Sequence, residues 1–319
     1  MKKILSVFIA VAIALLTFCS CGNTAPSEDR LSIICTAFPQ YDFMKNIIGN
    51  EEGLTLLLDD GADLHSYEPT AQDIIRIGSA DIFVYGGGVS DDWAEGVIRS
   101  ANNPDLKIIA TMDLVGTLKE EYVAGMQQEN HVHEHHDAHS GDHSGKDEHI
   151  WLSIKNAITI TRSLCEAICE VDPDNSEKYR TNTENYISQL KELDAEYSNI
   201  ISSSARKTVL FADRFPFRYL TEDYGLTYFA AFAGCSSESE ASFETMAFLI
   251  NKTKELKLPY VLTIDGSDGS LAKTVCESTE AKTAVLDSCQ SVSSADIANG
   301  TSYINIMKSN LEVLREALN

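Results

Sequence analysis

Histidine is the residue whose distribution first points to chemistry in this chain. Seven of the eight histidines lie in "HVHEHHDAHSGDHSGKDEHIW", residues 131–151, mixed with Asp, Glu, Gly and Ser. Neutral imidazoles bind metals through a ring nitrogen, and clustered imidazoles with carboxylates suit Zn²⁺. A segment this polar is not expected to hold regular structure. The choice is therefore between a metal-binding loop and a merely hydrophilic one, and seven histidines in so short a segment favour metal.

The two ends of this segment have different expected roles. Six histidines form a loop that is predicted to hold several ions more weakly than a preformed site, because a flexible loop loses entropy on binding: they are His131, His133, His135, His136, His139 and His143. His149 instead comes just before an apolar helix start, in "EHIWLS". His65, in "GADLHSYEPT", lies between a strand end and a helix start. A lone loop histidine is ordinarily solvent-exposed, but α/β folds bind ligands at such strand ends.

Short apolar runs alternate with helical periodicity along most of the chain, which predicts parallel βα units. In the first half the predicted strands are "LSIICTA", "LTLLLD", "DIFVYGG" and "LKIIATM", with helices between them. Thr70 and Asp73 are predicted to form a capping pair for one of these helices. In the second half the predicted strands are "TVLFAD", "LTYFAAF", "YVLTID" and "TAVLDS".

Between the halves lies a long amphipathic segment with Tyr179, Tyr186, Leu190, Leu193 and Tyr197 at three-and-four spacing. The sequence therefore predicts two α/β lobes, each a parallel sheet flanked by helices, joined by one rigid helix. The predicted boundaries are 31–172 for the first lobe with the His-rich loop at 129–148, 173–204 for the linking helix, and 205–319 for the second lobe.

The N-terminus carries a targeting signal. "MKK" precedes the fifteen-residue apolar run Ile4–Phe18, which is short for a membrane-spanning helix. "FCSCGN" resembles a bacterial lipoprotein cleavage site with Cys21 as the lipidated residue, although Cys19 competes and an ordinary secretory signal is the alternative. Residues 1–20 are thus predicted to be a signal peptide and 21–30 a tether. The mature protein is then expected to be exported and lipid-anchored on the outer face of the cytoplasmic membrane, or to be periplasmic.

Composition excludes several classes of function. The formal net charge of −23 among 319 residues argues against electrostatic binding of nucleic acid or of an anionic membrane surface. No GxSxG, HExxH or Walker sequence announces an enzyme. The six cysteines beyond Cys21 include no CxxC pair, which argues against a zinc ribbon, and their disulfide pairing cannot be read from sequence.

The chain resembles the zinc- and manganese-binding lipoproteins of ABC metal importers over nearly all of its mature length. The matching segments are "HSYEPTAQDI", "YGGGVSDDWAE", "HIWLS", "DPDNSEKYRTN", "FRYLTEDYGLTY" and "VLDSCQSV". The resemblance implies one metal ion in the cleft between two lobes, with His65 and His149 as ligands from the first lobe. Zinc-type members often carry a His-rich insertion, so Zn²⁺ is the expected ion and Mn²⁺ the alternative.

The second lobe departs from the family pattern. Five residues before Tyr219, where the family has a histidine or glutamate ligand, this chain has Arg214, which cannot coordinate a metal. Its neighbour Asp213 is the nearest carboxylate; it either substitutes as a ligand or pairs with Arg214. Asp287 matches the family's last ligand, although the proline that usually follows is missing. Glu68 is either an acceptor for a ligating imidazole or part of a helix entry.

The function implied is capture of Zn²⁺ outside the cell and delivery to an ABC permease driven by a cytoplasmic ATPase, by a monomer without covalent chemistry. A manganese-binding protein of the same transporter class is the first alternative. A zinc-dependent hydrolase would need an open coordination position and a general base, for which no motif is present. An adhesin role is a further class that the sequence does not test.

Overall fold

Two parallel four-stranded sheets form the framework of the chain. The computed structural model describes residues 31–59, 64–127, 145–236, 240–290 and 292–319. The first sheet has the strand order β2-β1-β3-β4, and the second has β6-β5-β7-β8. The strands are β1 Ile33–Cys35, β2 Leu54–Leu56, β3 Ile82–Tyr85, β4 Lys107–Ala110, β5 Thr208–Phe215, β6 Thr227–Ala233, β7 Tyr260–Ile264 and β8 Lys282–Leu286.

Helices cover the sheets, as parallel strands require, because each crossover must return the chain to the same edge. In the part of the chain that the structure describes, the α-helices are α1 Phe38–Ile48, α2 Ala71–Gly78, α3 Asp92–Ala101, α4 Ile154–Val171, α5 Ser176–Ser203, α6 Arg218–Tyr224, α7 Phe243–Leu256, α8 Ser270–Glu277, α9 Ser294–Ala298 and α10 Tyr303–Ala317. We call the first sheet with α1–α4 the N-terminal lobe, and the second sheet with α6–α10 the C-terminal lobe.

Helix α5 connects the lobes. Its 28 residues correspond to roughly 42 Å at the usual rise per residue. Towards its first half, the Tyr186 hydroxyl donates to Asp42 Oδ2 of α1 at 3.0 Å. Towards its second half, the Tyr197 hydroxyl donates to the Met307 carbonyl of α10 at 2.6 Å. One helix therefore makes buried hydrogen bonds to both lobes, which fixes their separation.

The linking helix begins slightly later than its sequence pattern predicts. Residues Pro173–Asn175 form a 3₁₀ turn, and α5 proper starts at Ser176. The Asp172 carboxylate accepts from Asn175 and from the Tyr179 hydroxyl, at 2.8 and 2.5 Å. These bonds hold the turn that redirects the chain from α4 into α5.

The predicted fold class is confirmed: two lobes, each a helix-flanked parallel sheet, with a long helix between them. Among the described residues, none of the helices has the length and apolarity that crossing a membrane requires. The signal peptide with Cys21, the tether, and the six loop histidines between positions 131 and 143 lie outside the described residues. The predictions made for them stay predictions.

Candidate metal centre

His65 lies on a short 3₁₀ turn, Leu64–Ser66, in the connection from β2 to α2. Its Nδ1 is 2.7 Å from the Ser90 hydroxyl, in the turn that follows β3. Helix α2 begins directly after this connection with the predicted capping box, in which Thr70 accepts from the Asp73 backbone and Asp73 from the Thr70 backbone. Two successive β–α connections of the N-terminal lobe, after β2 and after β3, thus hold the first imidazole through Nδ1, and Nε2 is the ring nitrogen that would bind a metal.

His149 is completely buried, just before the 3₁₀ turn Ile150–Leu152. Asp147 Oδ1 lies 3.0 Å from His149 Nδ1 and also accepts from the His149 backbone N–H at 2.9 Å. This contact favours the tautomer with the proton on Nδ1, which turns the lone pair to Nε2. His149 Nε2 is buried and has no hydrogen-bond partner. A buried polar atom without a partner is costly, and a metal ion would satisfy it.

Asp147 is itself held from both lobes. Its backbone N–H donates to the Leu118 carbonyl at 2.9 Å, and its carbonyl accepts from the Tyr219 hydroxyl of α6 at 2.8 Å. The same hydroxyl accepts from the Leu118 backbone N–H at 3.0 Å. The segment that carries His149 is therefore anchored to the C-terminal lobe, which limits how far the imidazole can move.

The two imidazoles meet, and a thiol joins them. The ring centroids of His65 and His149 are 5.4 Å apart with the rings tilted by 60°. Ring nitrogens of both histidines and Sγ of Cys235 all lie within 4.8 Å of one another. Zn²⁺ sits roughly 2.0–2.3 Å from nitrogen and sulfur ligands, so its donors must be this close. Among the described residues, no other group of three or more His, Cys, Asp or Glu side chains converges in this way.

Cys235 follows the end of β6 and enters the site beside a glycine. A Cβ on Gly234 would lie 2.8 Å from the Phe215 carbonyl oxygen and 3.2 Å from His149 Cε1, so a larger residue would disturb the site. The Cys235 backbone N–H donates to Glu120 Oε1 at 3.0 Å. Burial and the charges of Glu148, Asp147 and Glu120 raise the pKa of the Cys235 thiol well above its ordinary value. A metal cation would oppose both effects, because a thiol that coordinates a metal loses its proton.

The two predicted carboxylate ligands lie near the carboxyl ends of strands of the second sheet, Asp213 within β5 and Asp287 just after β8, but they are not grouped with the histidines. Asp213 Oδ1 accepts from the Arg214 backbone at 2.8 Å, and Oδ2 from the Ile264 backbone at 3.4 Å. Asp287 Oδ1 accepts from the Cys289 backbone at 2.7 Å. Burial and the neighbouring Asp265 raise the pKa of Asp287 to about 6. Their role as ligands stays a prediction.

Glu148, and not the predicted Glu68, supports an imidazole of the site. Glu68 is exposed. Glu148 is buried, and its two carboxylate oxygens accept from the Ser90 backbone N–H at 3.1 and 3.3 Å. Since Ser90 also contacts His65, Glu148 helps to fix the turn that positions this imidazole.

Cys235 is the residue that sequence reasoning missed. It stands in "AAFAGCSSES", where a predicted strand ends in Gly-Cys. The rule that ligands bind at the carboxyl ends of parallel strands applies to this position as it does to His65. The absence of a CxxC pair argued against cysteine ligands, although a single thiolate can join two imidazoles at zinc.

Two α/β lobes joined by a long helix, with candidate metal ligands brought from both lobes to one point, define a metal-binding protein of the solute-binding class. The sequence matches the family model described as "Zinc-uptake complex component A periplasmic" (ZnuA) over residues 33–317. The chain belongs to this family. It is a family of extracytoplasmic zinc-uptake components and not of enzymes, which confirms the prediction that the chain is not an enzyme.

Curated relatives agree with the family. The chain is 30% identical over 317 residues to the zinc-binding lipoprotein AdcA of Streptococcus pneumoniae, which covers 99% of this chain and 61% of that protein. It is also 30% identical over 323 residues to the high-affinity zinc uptake system protein ZnuA of Bacillus subtilis, covering 99% and 98% of the two chains. The chain thus spans about three fifths of the length of the AdcA relatives and nearly all of ZnuA.

Solved structures share the fold. The Zn(II)-bound ZnuA-like domain of S. pneumoniae AdcA superimposes with a TM-score of 0.74 at 27% identity, covering 91% of this chain and 99% of that one. The metal-dependent lipoprotein YcdH of B. subtilis gives a TM-score of 0.75 at 27% identity, covering 90% and 99%.

Proposed function

We propose that this protein captures Zn²⁺ outside the cytoplasm and delivers it to an ABC-type permease driven by a cytoplasmic ATPase. The observation that carries the proposal is the meeting of His65 and His149, whose rings lie 5.4 Å apart at the point where the two lobes meet. The Nε2 atom of His149 is buried and has no hydrogen-bond partner. Relatives named as zinc-binding or zinc-uptake proteins support the choice of cargo.

The donor atoms favour zinc over manganese. Imidazole nitrogen suits Zn²⁺, whereas Mn²⁺ prefers oxygen ligands. The carboxylate of Asp147 is engaged with the His149 ring, and that of Glu148 with the Ser90 backbone. These carboxylates support the imidazoles through hydrogen bonds, which orient the rings, and they add negative charge around a divalent cation.

Attachment and delivery extend the proposal. Lipidation of Cys21 would hold the protein at the outer face of the membrane, within reach of the permease, and the tether 21–30 would let the lobes turn towards it. The His-rich loop would collect ions near the site at lower affinity. The protein is proposed to act as a monomer, since the three donor atoms of the candidate site all come from one chain.

The test is a metal titration of the mature full-length chain, first stripped of metal. We expect one tight Zn²⁺ site that survives competition with a chelator, plus weaker ions in the loop, and no tight Mn²⁺ site. Cells that express the protein with its permease should take up radioactive zinc, and cells with His149→Ala should not. A tight manganese site with weak zinc binding would favour the manganese alternative, and uptake unaffected by His149→Ala would reject the proposed site.

A further inference from the structure

The donor from the C-terminal lobe is the least family-like part of the site. Arg214 occupies the position of the family's ligand, and a guanidinium has no lone pair to offer. Asp213, beside it, accepts from two backbone N–H groups of its own lobe. Yet one side chain of this lobe does approach both imidazoles, since Cys235 Sγ lies within 4.8 Å of their ring nitrogens.

The position of Cys235 is fixed from the N-terminal lobe. Glu120 Oε1 accepts from the Cys235 backbone N–H, and the Glu148 backbone hydrogen-bonds to the Cys235 side chain. Gly234 lets the chain approach His149 Cε1 without a clash. Sγ lies within 4.8 Å of a ring nitrogen of each histidine, and the Nε2 of His149 is buried without a hydrogen-bond partner. A half-buried cysteine that only filled space would not need these contacts.

We infer that Cys235 is a metal ligand, so that the cargo site is a two-histidine, one-thiolate site that spans both lobes. The inference rests on the proposed function. Binding breaks the S–H bond, releases the proton to solvent and forms a sulfur–metal bond, with no change of oxidation state. Three protein donors leave one position of a tetrahedral Zn²⁺ for water.

The thiolate narrows the class of cargo. Thiolate ligands favour soft and borderline ions and disfavour Mn²⁺, which prefers oxygen. The site therefore selects Zn²⁺ and the chemically similar Cd²⁺. Because the thiolate comes from the C-terminal lobe and the imidazoles from the N-terminal lobe, the bound ion also links the two lobes.

Cobalt reports the thiolate directly, because Co²⁺ bound to sulfur absorbs in the near ultraviolet and Co²⁺ bound to the loop histidines does not. In the full-length mature chain we expect this band in wild type and in the control Cys276→Ser, and its loss in Cys235→Ser. Chelator competition should show tight-site Zn²⁺ affinity reduced by roughly tenfold or more in Cys235→Ser alone. Replacing sulfur by oxygen in Cys235→Asp should lower the ratio of Zn²⁺ to Mn²⁺ affinity.

A second measurement covers the case in which Cys235→Ser does not fold. In the wild-type protein, bound Zn²⁺ should protect Cys235 from alkylation while Cys276 reacts equally with and without zinc, as peptide mass spectrometry would show. Two results would show that Cys235 is not a ligand: equal alkylation of Cys235 with and without zinc, or a Cys235→Ser variant that keeps both the sulfur–cobalt band and the tight site. Neither result would contradict the proposed function. Absence of any tight zinc site in wild type would overturn both.

Discussion

The two lobes contribute to the metal centre by different chemistry. In the N-terminal lobe, His65 and His149 each have one ring nitrogen held by a neighbour, Ser90 or Asp147, which leaves the other for a ligand. In the C-terminal lobe the carboxylates of Asp213, near the end of β5, and of Asp287, just after β8, accept from backbone N–H groups. The group that reaches the imidazoles is a thiol. Which donors serve a metal therefore depends on their local hydrogen bonds as well as on their place at a strand end.

The largest effect should come from removing an imidazole. His65→Ala and His149→Ala should each lower the affinity of the tight Zn²⁺ site by about two orders of magnitude or more, since each removes a ligand from a site with few donors. Binding should also weaken in acid, because protons compete with the metal for the imidazole nitrogens. Chelator competition measures both effects, with Ser66→Ala as the matched control on the same turn. Near-wild-type affinity in either variant would mean that the histidine it replaces is not a metal ligand.

The contact behind His149 should have the next largest effect. Asp147→Asn can still accept from the His149 backbone but carries no charge to hold the Nδ1 proton. Loss of such a partner typically costs about 10–100-fold in metal affinity. Calorimetry on the metal-free protein should show this loss with little change in thermal stability. If stability falls and affinity does not, Asp147 serves the fold of its segment alone.

Deleting residues 131–143 should change the number of ions bound and leave the tight site in place. The imidazoles of the loop should account for the weaker ions, and the cleft donors His65, His149 and Cys235 all lie outside the deletion. Metal analysis after dialysis gives the stoichiometry, and chelator competition gives the affinity. Unchanged stoichiometry would reduce the loop to a linker, whereas loss of the tight site would mean that a loop histidine also serves the cleft.

Much of the fold could be predicted from sequence, because buried parallel strands are apolar along their length and the linking helix repeats its aromatic residues at helical spacing. The positions of His65 and His149 at β–α connections followed from the same pattern. The C-terminal lobe was harder to predict. The apolar run suggests that a strand ends at Asp213, but β5 continues to Phe215 with an irregular register between Phe211 and Arg214. The approach of Cys235 to His149 joins segments far apart in the chain, which no local pattern shows.

The raised pKa of Asp287 allows the C-terminal lobe to be tested by pH. Its folded-state pKa of about 6 lies above the ordinary value of 3.8, so the folded protein binds a proton that the unfolded chain has already lost between these values. Stability should therefore fall as the pH rises from about 4 to 6. Asp287→Asn, whose amide oxygen can still accept from Cys289, should reduce this pH dependence and stabilise the protein at pH 7. A loss of zinc affinity well beyond tenfold would instead make Asp287 a ligand.

Asp213 should show the smallest effect on binding and thereby sharpen the contrast between the lobes. Its carboxylate accepts from the backbones of Arg214 and Ile264, which link β5 to the end of β7. Asp213→Ala leaves these two donors without their acceptor in a half-buried position, so we expect a loss of roughly 1 kcal/mol in the free energy of unfolding. The affinity for Zn²⁺ should stay within about threefold of wild type, because Asp213 is not among the donor atoms that converge on one point.

Asp213→Asn is the matched control, since its amide oxygen can replace one of the two acceptors. Chemical denaturation should place its stability between those of wild type and Asp213→Ala. A ligand would behave differently, because an amide is a poorer donor to zinc than a carboxylate and both variants would lose affinity together. The opposite result would be a more than tenfold loss of zinc affinity in both Asp213 variants, together with normal binding in Cys235→Ser. The C-terminal lobe would then supply a carboxylate ligand and not a thiolate.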